Sequence, residues 1–245
     1  MQSLVVLLSG IILCIIFSCN GPSQNAATSN QDTTLKVALV SKTEYLADSS
    51  IRIEYQWDSL NKKKQGICKE YDATGLIKEY QYKQDVLDGV ETLYFAGGEK
   101  IDGQFNYVDG VHQGAFSYFY ESNGQAMQKG NYVDGKIEGL LTSYYEDGTL
   151  KEEINHVDGL TQGPFKEYNE AGILVAEGNF TSKGDNENLE DGLLKLYDEN
   201  GALSKKMVCQ KGQCCTSWTV EDGDVAPSNN LCKAIIESLK AKEAL

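Results

Sequence analysis

Basic charge is scarce in this chain. Against 36 Asp and Glu it sets only 22 Lys and Arg, a formal net charge of −14 over 245 residues. A protein that neutralises phosphates needs a basic face, so the summed field argues against a nucleic-acid binder and against an anionic lipid surface as ligand. Histidine is scarcer still, with His112 and His156 alone. No serine sits in a nucleophile-elbow pattern and no Cys-His arrangement is evident, which leaves few ways to assemble a triad. Three prolines stand against 24 glycines and 14 tyrosines, a balance that favours strands and tight turns over disorder or a helix bundle.

Long hydrophobic runs are also rare. The stretch 4–17 is uncharged and apolar, and Ser18, Cys19 and a polar tract follow it. A spanning helix needs about 20 apolar residues, whereas a secretory core needs roughly 7 to 15 followed by small residues, so 1–18 reads as a signal peptide. Ile16-Phe17-Ser18-Cys19 resembles the lipobox of bacterial lipoproteins, although Met1-Gln2-Ser3 carries no Lys or Arg. The resemblance implies a diacylated Cys19, a membrane contact through that lipid, and a place in the bacterial cell envelope, at the outer membrane or its periplasmic face. Residues 19–34 have almost nothing to bury and read as a flexible tether, with a random-coil reach on the order of 20 Å.

The main signal is a repeat. A glycine, four residues, an aromatic, three residues and a second glycine recur at Gly66-Tyr71-Gly75, Gly89-Tyr94-Gly98, Gly139-Tyr144-Gly148, Gly163-Tyr168-Gly172 and Gly192-Tyr197-Gly201, with a stretched copy at Gly114-Phe119-Gly124. Successive starts lie 23, 25, 25, 24 and 29 residues apart. Between the frames stand Asn106-Tyr107-Val108-Asp109-Gly110, Asn131-Tyr132-Val133-Asp134-Gly135 and Asn155-His156-Val157-Asp158-Gly159. Each repeat therefore reads as a hairpin closed by Asp-Gly or Asn-Gly turns. The fold expected is all-β: an elongated, single-sheet antiparallel array of tandem hairpins over 35–208, with 35–65 a degenerate capping repeat. A lone hairpin is marginal, so the frame aromatics Tyr71, Tyr94, Phe119, Tyr144, Tyr168 and Tyr197 are expected to stack in a row between neighbours.

These residues resemble the MORN family, and more closely its bacterial repeat-variant branch. The usual spacing appears at Tyr132, Gly135 and Gly139, with Gly130 two positions before the tyrosine; Gly103-Phe105 and Gly178-Asn179-Phe180 are looser copies. The resemblance spans roughly residues 36–208 and implies an open hairpin array used for protein contacts or membrane-proximal scaffolding. Some members of the branch carry the label of toxin-antitoxin antitoxins.

Residues 209–245 form a cysteine-rich cap. Cys209, Cys214, Cys215 and Cys232 allow three disulfide pairings, and adjacent Cys214 and Cys215 are poorly placed to bond each other, so both are expected to join outward, to Cys209 and Cys232. Zinc is a rival, but the spacing lacks the paired two-residue gaps of common sites. Residues 229–245 read as a helix with Leu231, Ile235 and Leu239 on one face, plugging the last hairpin. Asp109, Asp134 and Asp158 read as turn residues rather than a carboxylate row. The acidic loop 184–191 lacks the EF-hand positions. No catalytic residue, metal ligand or cofactor is assigned. The function expected is non-enzymatic: an envelope lipoprotein whose sheet surface binds a protein or glycan through the aromatics beyond the repeating place, Tyr118, Tyr120, Tyr132, Tyr145 and His156. The alternatives are an antitoxin-like binding protein, a hydrolase hidden in the repeats, and a purely structural spacer.

Overall fold

A computed structural model of the chain describes residues 38–46, 52–182, 184 and 188–243. The signal peptide, Cys19 and the tether lie outside those residues, as do Asp185, Asn186 and Glu187 of the acidic loop. The described residues form one open antiparallel sheet of twenty strands, whose pairings follow chain order, and one C-terminal helix, Asn230–Glu243. Within 35–65, strand Leu39–Tyr45 pairs with Arg52–Asp58 to form the first hairpin.

The hairpin at 139–157 illustrates how sequence dictates the repeat. Strand Gly139–Tyr144 pairs with Leu150–Val157. Between them the Gly148 amide donates to the Tyr145 carbonyl at 2.9 Å and Gly148 sits at φ 88°. This is a type I turn followed by a glycine bulge, and the Asp147 carboxylate braces it by accepting from the Thr149 amide at 2.8 Å. The Thr149 contacts hold the Asp147 carboxyl below the usual aspartate value.

The Val-Asp-Gly turns are of another kind. Asp134 and Gly135 have φ of 49° and 78°, and the pairs 109–110 and 158–159 behave alike. Two successive positive φ values define the I′ turn, whose twist suits a two-residue hairpin. The turns at 109–110 and 134–135 lead into two-residue arms, Val111–His112 and Lys136–Ile137, and the turn at 158–159 leads into the continuous strand Leu160–Tyr168; in each case the ladder then shifts register. Tyr132 faces Ile137 and Lys129 faces Thr142, so the two residues between them on one strand are matched by four on the other. Two extra residues per repeat bend the strand at the frame's first glycine.

The buried rows differ from the expectation. Tyr71, Tyr94, Phe119, Tyr144, Tyr168 and Tyr197 are half-buried, and no two of their rings pair with each other among the described residues. The rings face the charged side of the sheet: Tyr168 Oη donates to Glu153 at 3.0 Å, and Tyr197 Oη to Glu177 at 2.8 Å. The core forms instead two residues after each frame glycine, at Cys68, Phe116, Phe165 and Leu194, all buried, with Leu141 partly so. Strand alternation explains the shift, because positions +2 and +5 lie on opposite faces.

Glycine completes this core. A Cβ at Gly130 would stand 2.6 Å from the Phe116 ring, and one at Gly178 2.9 Å from Phe165. These pairs are direct cross-strand partners. The ring lies where a side chain would otherwise be, and only glycine permits the approach.

The four clustered cysteines form two disulfides, Cys209–Cys214 and Cys215–Cys232. Neighbouring strand residues point to opposite faces, so Cys214 bonds its ladder partner Cys209 while Cys215 reaches the helix on the other face. The helix lies on the face of strands Leu203–Gln210 and Gln213–Thr219 rather than at the sheet's last edge, packing Cys232, Ile235, Ile236 and Leu239 against Val208 and Cys215. Leu231, expected on the packed face, is 51% exposed. Asn229 caps the helix, its Oδ1 accepting from the Cys232 amide at 2.9 Å.

Candidate functional site

The densest cluster of rings lies in the middle repeats. Strand Ile101–Val108 supplies Phe105 and Tyr107, the arm Val111–His112 supplies His112, strand Gly114–Phe119 supplies Phe116 and Tyr118, and strand Ala126–Val133 supplies Tyr132. The His112 ring lies 4.2 Å from Tyr107 and 4.8 Å from Tyr132, and Tyr132 lies 4.7 Å from Phe116. Phe105 meets Tyr118 edge-on at 5.2 Å. Aromatic pairs at these separations contribute about 0.5–1.5 kcal/mol each beyond their burial. The Nε2 of His112 is buried with no hydrogen-bond partner among the described residues.

A charge is built into the border of this cluster. Glu91 occupies the +2 core position and is 5% exposed. Lys78 Nζ lies 2.6 Å from its Oε1, and Tyr107 Oη donates to its Oε2 at 3.3 Å. Burial and the neighbouring Glu91 charge push the Tyr107 hydroxyl up to about 12, so it remains a protonated donor at neutral pH. Phe105, Phe116 and the Glu91 carboxylate are buried, and the rings of Tyr107, His112, Tyr118 and Tyr132 are half-buried around them.

The five expected contact residues separate into three situations. Tyr118 and Tyr132 belong to the ring cluster and are half-buried. Tyr120 and Tyr145 bind repeat to repeat: Tyr120 Oη donates to the Tyr144 carbonyl at 2.7 Å, and Tyr145 Oη to the Tyr168 carbonyl at 2.8 Å. His156 is buried, 8% exposed, with Nδ1 3.3 Å from the Ile154 carbonyl.

His112 and Glu91 were not among the residues expected from sequence. Glu91 had a legible signal, since the other five frames hold Cys, Phe, Leu, Phe and Leu at that position. His112 had less: the corresponding arm positions hold Leu87, Ile137 and Thr161, each facing the column Tyr82, Tyr132 and His156 as His112 faces Tyr107.

A concave surface of about 910 Å³ lies between the helix and the last strands, where Lys206 sits 5.2 Å over the Trp218 ring near Lys233 and Lys240. A smaller cleft of about 340 Å³ includes His156, Thr161 and Ser182. Among the described residues no group of three His, Cys, Asp or Glu side chains is placed to hold a metal, and no helix is long and apolar enough to cross a membrane. Asp109, Asp134 and Asp158 hold their I′ turns, and Cys68 is a buried free thiol.

Bent hairpins that add to one sheet in chain order and pack their core residues against their neighbours define a β-hairpin repeat protein. The MORN repeat variant family matches residues 137–158. That segment is one structural repeat, from the end of one two-residue arm through the hairpin to the next I′ turn. No curated protein matches the chain.

Proposed function

We propose that this is a non-enzymatic, lipid-anchored protein of the bacterial cell envelope whose repeat sheet presents an aromatic surface to a protein or glycan partner. The observation that carries this reading is the cluster Phe105, Tyr107, His112, Phe116, Tyr118 and Tyr132, whose outer rings are half-buried and whose border holds the Glu91 carboxylate. A few aromatic anchors dominate binding in many interfaces. Within the contact set, Tyr118 and Tyr132 form the anchor, Tyr120 and Tyr145 keep the repeats aligned beside it, and His156 is buried in the following repeat. Anchoring through Cys19 rests on the apolar run 4–17 and the Ser18-Cys19 junction. The two disulfides fit an oxidising compartment.

Cross-linked capture from membranes tests the surface, comparing wild type with Tyr118→Ser/Tyr132→Ser. Partners held by wild type and lost by the variant, with near-UV circular dichroism preserved, are the expected result. Retention of the same partners by both forms removes the surface. Cys19→Ala is expected to move the protein out of the membrane fraction, and a variant still in that fraction removes the lipid anchor.

A further inference from the structure

The outer edge of strand Leu39–Tyr45 is open: among the described residues only Arg52–Asp58 pairs with it, on its inner side. All seven residues are exposed, with Val40 at 48% and Tyr45 at 63%. The far end of the sheet is finished otherwise, because Gly223–Asp224 pairs onto Trp218 and Thr219 and the helix is stapled beside it. An uncovered strand of this length is a template for another strand.

We propose that this edge pairs with the same edge of a second copy of the chain, antiparallel and centred on Thr43. Backbone parity and charge together select that arrangement. The Ser59 amide donates to the Ala38 carbonyl at 3.1 Å, and residues 38 and 59 continue the unbroken register of the two strands. Hydrogen-bonded pairs alternate along an antiparallel ladder, so Val40, Lys42 and Glu44 turn their backbone groups inward, while Ser41, Thr43 and Tyr45 turn theirs outward. A two-fold axis requires outward residues to meet outward residues, which leaves only registers centred on a residue.

Charge then separates those registers. Centring on Ser41 sets Lys42 opposite Val40 and pairs no charges, centring on Lys42 sets Lys42 opposite Lys42 of the partner copy, and centring on Glu44 sets two glutamates face to face. Centring on Thr43 sets Lys42 opposite Glu44 twice, Thr43 opposite Thr43, and exposed Val40 opposite exposed Leu46. Opposite charges and Thr-Thr pairs stabilise a ladder, whereas like charges directly opposed destabilise it. Within one chain Lys42 lies 3.8 Å over the Trp57 ring and Glu44 accepts from Tyr55 Oη, so both side chains already stand on one face.

Sedimentation velocity of the full chain over a dilution series tests the proposal. Wild type is expected to dimerise reversibly. Lys42→Glu and Glu44→Lys alone create like-charge pairs and are each expected to weaken the dimer about tenfold. Mixed in equal amounts they are expected to form a heterodimer, and Lys42→Glu/Glu44→Lys in one chain is expected to restore the homodimer. Thr43→Pro deletes an outward amide without touching the inner ladder, and is expected to abolish the dimer at unchanged thermal midpoint. A wild type that stays monomeric throughout overturns the proposal, as does a mixture of the two single variants that fails to associate. Dimerisation unaffected by both charge reversals and by Thr43→Pro also overturns it, and assigns association to another surface.

Discussion

The two ends of the sheet stand in different mechanical positions. At the C-terminal end two disulfides leave adjacent residues in opposite directions, one across the ladder and one to a helix that covers a face. At the N-terminal end the outer strand is held by its backbone ladder, by the Tyr55 hydroxyl on Glu44 and by Lys42 over Trp57. A terminal repeat has a neighbour on one side only, so it must make up the missing contact in another way. One end does so covalently. The other rests on weaker polar contacts and keeps an edge able to accept a strand.

The strongest test of this contrast removes the coupling between the ends. Phe165 is 3% exposed and rests on Gly178, so Phe165→Ala is expected to cost about 3–5 kcal/mol and to split one denaturant transition into two. Tyr144→Ala, on the half-buried row, is expected to cost less in the same assay. Next in size is the staple. Cys215→Ser/Cys232→Ser opens a link across 17 residues, worth about 3 kcal/mol in a chain-entropy picture, and amide exchange is expected to rise across 203–219 while 52–72 stays protected.

At the other end the effects shrink. Tyr55→Phe removes the hydroxyl that holds Glu44 and is expected to cost about 1 kcal/mol, read by faster exchange confined to 39–45. The smallest effect is electrostatic. The Lys195 ammonium, with help from Tyr197, holds the Glu177 carboxyl below its ordinary value of 4.5. A depressed folded value means that the contribution is present above the unfolded value and fades as pH falls through the folded one. Thermal midpoints of wild type and Glu177→Gln are therefore expected to differ at neutral pH and to converge on acidification below about pH 4.

Much of this architecture was legible in the residues. Glycine-aromatic-glycine frames at a spacing near 24 fixed hairpins, turn positions and strand order, because glycine and Asp-Gly meet local backbone demands that no distant contact can alter. The candidate site was legible only in part. Tyr118 and Tyr132 stand out as extra aromatics, but the difference between them and Tyr120 or Tyr145 is a hydroxyl reaching a carbonyl more than twenty residues away. Glu91 was visible as a break in a column only once that column was known to be the core.

By itself, then, the sequence determined the repeat unit, its two turns and its antiparallel order, since these depend on φ preferences and residue spacing within one hairpin. Tertiary structure decided which face became the core, which cysteine met which, and where the helix came to rest. Those outcomes depend on the parity of each bulge, and a displacement of one residue exchanges the two faces of a strand. No composition or motif records that parity; it emerges only when neighbouring repeats are in register.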